Sequence, residues 1–146
     1  MKRQHMYVVS IAIAIIASTL YHVLQKATPQ DVNPVITLLV IYVSGIVVSL
    51  LLFTVFPLET GLAESLKQLN WASVALGAVV VGIETGFLLM YRTGWNISVG
   101  ALVVNVAATL ILIPVGLLFF KEQLTPVNLL GVVVCIIGLV MINLKP

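Results

Sequence analysis

Charged side chains are nearly absent from this sequence. Seven Lys/Arg and five Asp/Glu serve 146 residues, 8% in all, where an ordinary domain carries about a quarter. So few charges cannot cover a folded surface in water, which excludes a typical soluble domain. The net charge of +2 is small and dispersed, so the basic footprint of a nucleic-acid binder is missing as well. Cysteine is reduced to Cys135, which excludes an intrachain disulfide and a cysteine metal cluster. Inside its apolar run, Cys135 reads as a small packing residue. Catalytic signatures are lacking too. There is no GxSxG elbow, paired intramembrane aspartate motif, HExxH or phosphate-cradling glycine loop. No enzyme activity, cofactor or metal is therefore expected, and His22, with no second ligand at metal spacing, reads as an interfacial residue.

What the sequence has is apolar length. Hydrophobic residues make up 61% of the chain, with a mean hydropathy of +1.20. Crossing the hydrocarbon core takes about 20 largely apolar residues, and five stretches qualify: 6–24, 34–56, 71–91, 97–120 and 127–144. In lipid, backbone groups must be satisfied within the segment, so these runs predict helices. The expected architecture is an all-α membrane protein, a bundle of five transmembrane helices forming a single domain over 1–146. Lys2 and Arg3 before an apolar run imitate a secretory signal. The run continues to Leu24 with no convincing small-residue cleavage site, so an uncleaved first span is expected. Tyr7, Tyr21, Trp71, Tyr91 and Trp95 stand near expected span ends, where amphipathic rings favour the headgroup layer.

Five spans place Lys2, Arg3, Lys67 and Lys121 on one side and Lys26, Arg92 and Lys145 on the other. Orientation normally follows a Lys/Arg excess in short cytoplasmic links. Here the balance is four against three. It admits an N-terminus inside, helped by the Lys2/Arg3 pair, and equally a chain that inserts both ways and pairs with an inverted copy.

Membrane helices associate through small residues and interhelical hydrogen bonds. Gly131, Cys135 and Gly138 form one small-residue seam in the fifth span, and Gly82 and Gly86 another in the third. Ser10, Ala14, Ala17, Ser18 and Tyr21 share a stripe on the first that ends near Gln25. The fourth span holds Ser98, Asn105, Thr109 and Pro114. Pro114 lacks an amide hydrogen and crowds the Leu110 carbonyl, which predicts a kink. Asn105 is costly against lipid and is expected to point inward, as helix glue or as a substrate contact.

Glu84 is the outlier. It lies about 5 Å along the helix from the centre of the third span, with no Lys or Arg within a turn. A lone ionisable group at this depth costs about 2.5–3.5 kcal/mol and by default marks an ion or substrate pathway. The alternative is a protonated carboxyl that joins helices by hydrogen bonding to a carbonyl or to Asn105.

The stretch GLLFFKEQLTPVNLLG at 116–131, continuing to Gly138, resembles the closing signature of EamA-like domains of the drug/metabolite transporter superfamily. Glu122, Leu124, Thr125, Gly131 and Gly138 match its Glu-x-Leu-Thr turn and glycine-spaced last helix. The preceding 88–114 stretch, with Tyr91, Ser98 and a proline, is also similar. The chain departs from the pattern at Lys121, where the family often has glycine. Nor is a mid-span glutamate in the third helix a general feature, although the related small multidrug resistance proteins carry one in their first helix. The resemblance implies a five-helix repeat, commonly paired with an inverted second repeat around a cavity lined by the first, third and fourth helices.

Two functions follow as expectations. The first is a secondary transporter of a small organic solute, an exporter or exchanger in the cell (inner) membrane, acting as a homodimer that is antiparallel if the chain inserts both ways. Glu84 would be its proton or cation site, with Asn105, Tyr21 and Ser98 as polar contacts. The second is a non-catalytic membrane subunit that pairs with another half-transporter or a lipid-linked sugar flippase.

Overall fold

The structure, a computed structural model, describes residues 2–143. Leu144 and Lys145, the end of the fifth expected span and one of the counted charges, lie outside the described residues. The elements in chain order are helices α1 (Lys2–Ala27), α2 (Pro34–Leu52), α3 (Leu62–Lys67), α4 (Trp71–Arg92), α5 (Ile97–Phe119) and α6 (Pro126–Asn143). Among the described residues there is no strand.

The second and fourth helices begin where the sequence supplies a side-chain cap. Asn33 accepts a hydrogen bond from the Val35 amide at 2.8 Å, and Pro34 occupies the first turn of α2, where its missing N–H costs nothing. Asn70 does the same for α4, accepting from Ala72 at 3.0 Å. The α2 helix stops at Leu52, four residues before the expected end at residue 56. Pro57 explains this: its ring disfavours helical geometry at Phe56 and would crowd the Phe53 carbonyl. The chain there turns instead, with the Thr54 hydroxyl donating to the Leu51 carbonyl at 2.7 Å. The following link holds α3, a six-residue helix with Glu64 in its first turn and Lys67 in its last. Both charges suit the helix dipole.

Among the described residues, four helices are long and apolar enough to cross a membrane: His5–Ala27, Pro34–Leu52, Trp71–Arg92 and Ile97–Phe119. The apolar part of α6, Pro126–Ile142, is shorter. Large aliphatic side chains point outward along all of them, including Ile16, Val43, Leu76, Ile111 and Val134. Such apolar surface on every helix has no place in water and is what lipid accepts. The chain is a multi-pass, all-helical membrane protein.

Two compact units divide the chain: residues 23–93 form one, and residues 1–22 with 94–146 form the other. In the first, α2 packs on α4; its buried apolar side chains are Leu38, Leu88 and Tyr91. In the second, α6 packs on α5, which carries the buried Gly100 and Gly116 and remains one helix across Pro114.

The turn between α5 and α6 explains the signature residues found there. Lys121 sits in the left-handed region at φ 52°. This brings the Glu122 amide back to the Gly116 carbonyl at 3.1 Å and lays the Glu122 carboxyl over Gly116, in the space a Cβ would need. The Thr125 hydroxyl then accepts from the Asn128 amide at 3.2 Å, capping α6, with Pro126 as its first residue. A left-handed conformation costs a non-glycine residue about 1–2 kcal/mol, and glycine gives back part of that in unfolded-chain entropy. Lys121→Gly is therefore expected to stabilise the protein by roughly 0.5–1 kcal/mol, and Lys121→Val to destabilise it. Thermal unfolding in detergent reads both, and a lower Tm for the glycine variant contradicts this account of the turn.

Candidate functional site

The site is built where the end of α1 meets α4, within the unit of residues 23–93. Glu84 lies about 20 Å along α4 from Trp71 and about 12 Å from Arg92. Its carboxylate Oε2 accepts a hydrogen bond of 2.5 Å from Nε2 of Gln25, and Gln25 itself is only 5% exposed. A neutral amide thus reaches the carboxyl at depth. Bonds of this kind, with one charged partner, contribute about 1.5–3 kcal/mol.

Two turns further along α4, cations tie it to the end of α1 and to the link that follows. Lys26 donates from Nζ to the Tyr91 carbonyl at 3.2 Å, and the same ammonium stands 5.9 Å from the centre of the Tyr91 ring. That carbonyl belongs to the last turn of α4, where helical acceptors lack intrahelical partners and positive charge is favoured. Arg92 donates through Nη2 to the Pro29 carbonyl at 3.0 Å. Tyr91, 1% exposed, stacks on Phe87 one turn back with ring centres 6.2 Å apart. Together these contacts close the α4 end of the site.

From the α2 side comes Tyr42. It lines a groove of about 510 Å³ with Ser73, Leu76, Gly77, Val80 and Val81 of α4. Its hydroxyl is buried with no hydrogen-bond partner and lies in the electrostatic field of Glu84. An unmet buried hydroxyl costs about 1–3 kcal/mol, which asks for an explanation.

The other expected site residues fall elsewhere. Tyr21 presents its ring edge-on to His22, with centres 5.1 Å apart and planes at 76°. Asn105 is exposed on α5 in the second unit, where its carbonyl accepts from the Thr109 hydroxyl at 2.8 Å. Both line a groove of about 310 Å³ together with Asn128, Gly131 and Cys135 of α6. The α6 seam read from the sequence thus faces this groove in part. A Cβ at Gly131 or Gly138 would meet nothing within 4 Å, and the same holds at Gly82 and Gly86. Ser98 is exposed in the first turn of α5.

The sequence singled out Glu84 but not its neighbours. Gln25 ended the polar stripe of α1 and was visible as such. Lys26 and Tyr91 looked like ordinary span ends, and Tyr42 sits in an apolar run with no polar neighbour at helical spacing to mark it.

No curated protein and no solved structure matches the chain. The profile of the EamA-like transporter family matches residues 5–144, nearly the whole chain. That match agrees with the helices and the α5–α6 turn described above. The chain belongs to the EamA-like transporter family, membrane transporters of the drug/metabolite type.

Proposed function

We propose that the chain is a half-size secondary transporter of a small organic solute, an exporter or exchanger in the cell (inner) membrane. It works as a homodimer of antiparallel copies, each one transmembrane domain of five spans. The observation that carries this reading is the Glu84 carboxyl, placed deep in α4 and held by the neutral amide of Gln25. A half-buried carboxyl held this way is able to exchange its amide partner for a proton or a cationic group. Each exchange alters the bond between α1 and α4, and so couples binding to helix movement. Asn105, Ser98 and Tyr21 serve as polar contacts along the path. The pairing is supported by the glycines of α4 and α6, where an added Cβ would meet nothing within 4 Å, leaving small-residue seams open to a second chain. An inverted pair also provides the symmetry on which alternating access rests.

The direct test is transport by the purified chain in lipid vesicles carrying an imposed pH gradient, screened against amines, amino acids, sugars and drug-like cations. Uptake or release that depends on the gradient supports the reading. A chain that transports nothing unless a second, different protein is added supports the subunit reading instead.

The fifth span is the part of this architecture with the narrowest margin. Over its 18 described residues, α6 extends about 27 Å against a hydrocarbon core of about 30 Å. Reporter fusions after residues 30, 60, 94 and 122 and at the C-terminus, made in a variant fixed in one orientation, are expected to alternate sides. Residue 122 and the C-terminus appearing on the same side would reduce the count to four.

A further inference from the structure

We infer that Tyr42 of α2 is a positioning residue of the Glu84 site, donating its hydroxyl to the carboxylate when Gln25 has let go. This rests on the reading of Glu84 as the exchanging group. It brings the second long helix into a site that was expected on the first, third and fourth.

Three independent observations meet on Tyr42. Its hydroxyl is buried and has no hydrogen-bond partner, an arrangement that native interiors rarely leave without a use. It lies within electrostatic reach of Glu84, on a helix that packs directly against α4. Its groove is walled by Val80 and Val81, four and three residues before Glu84 and therefore on the same helical face. Side chains on a helix lean toward its N-terminus, which is the direction from Glu84 to those valines. A rotamer change of Glu84 in that direction turns its carboxyl from the Gln25 amide toward the groove that Tyr42 lines.

The two donors then serve opposite states. Gln25, at the end of α1, holds the carboxylate in the state described here. With that bond broken, a carboxylate left in an apolar groove would have no donor from α1, and the Tyr42 hydroxyl fills the place. When Glu84 takes up a proton the bond reverses, since the phenol oxygen also accepts. Besides Gln25, the charged and titratable groups that this unit brings to the same end of α4 are Lys26, Arg92 and Tyr91. Tyr91 and Arg92 follow Glu84 by seven and eight residues along α4, whereas the groove-lining Val80 and Val81 precede it.

The experiment uses the full-length protein in lipid vesicles and the proton alone as ligand. Infrared difference spectra across a pH titration report the protonated carboxyl stretch of Glu84, assigned by its loss in Glu84→Gln. Tyr42→Phe, which removes only the hydroxyl, is expected to shift that band and to displace the titration midpoint by roughly one pH unit, a tenfold change in proton affinity. Difluorotyrosine at position 42 keeps the volume and the hydroxyl but alters its donor strength. It should also move the band, which covers the case in which the phenylalanine variant fails to fold. An unchanged band and midpoint in both variants overturns the role of Tyr42. If the band is unmoved while Glu84→Gln still abolishes coupled transport, this inference alone fails. If Glu84→Gln transports normally with the wild-type pH dependence, the underlying reading of Glu84 fails.

Discussion

Glu84→Gln will insert and fold like the wild type, yet lose proton-coupled transport by roughly a hundredfold or more, the scale set by removing a positioned proton-carrying group. The glutamine side chain has nearly the same volume and still bonds Gln25 through its own amide, so the link between α1 and α4 survives. What disappears is the exchangeable proton. Glu84→Asp keeps the proton but shortens the side chain by one methylene, pulling the carboxyl back from Gln25. Partial activity with a displaced pH profile is expected. Gln25→Leu is the complementary change, leaving the carboxyl without its amide donor at a cost of about 1.5–3 kcal/mol. If Glu84 only joins helices, the pattern inverts. Glutamine is then fully active with unchanged pH dependence, while Glu84→Ala chiefly lowers the Tm. Transport rate against pH, measured beside thermal stability for each variant, separates the two.

Under the proposed antiparallel pairing, the double variant Gln30→Lys/Asp31→Lys will be almost inactive alone and active when co-expressed with Glu59→Lys/Gln68→Lys. With five spans, the wild-type chain would carry Lys26, Arg92 and Lys145 on the side of the first link and Lys2, Arg3, Lys67 and Lys121 on the other. Two lysines added to the first link turn three into five and orient every copy one way. The complementary pair turns four into six and orients copies the other way. Gln30 and Asp31 are chosen because they are exposed, whereas the neighbouring Pro29 carbonyl accepts from Arg92. Loss and rescue should both be near complete, because a population of one orientation contains no inverted partner. Single-site cysteine labelling checks the premise directly. A wild-type chain labelled from one side only at each position removes antiparallel pairing, whatever the activities are.

The sequence by itself determined the solvent, four of the five expected spans and the place of the anomaly, while the fifth is shorter over its described residues. Each of these is a local or compositional property: hydropathy over 20 residues and a carboxyl deep in an apolar helix. The family signature was legible for the same reason, since Glu122, Leu124, Thr125 and Pro126 act within one turn. The short α3 helix and the early stop of α2 were missed, because both depend on how Pro57 and the link resolve their backbone hydrogen bonds. The tertiary structure alone decided which groups surround Glu84. Gln25 is 59 residues away in sequence, and Tyr42 belongs to a helix whose pattern is apolar all round. Apolar periodicity tells which residues avoid water, but in lipid nearly every face of a helix is apolar, so periodicity no longer points to the neighbour. Only the packing of α2 on α4 and the reach of long side chains from the end of α1 select the partners.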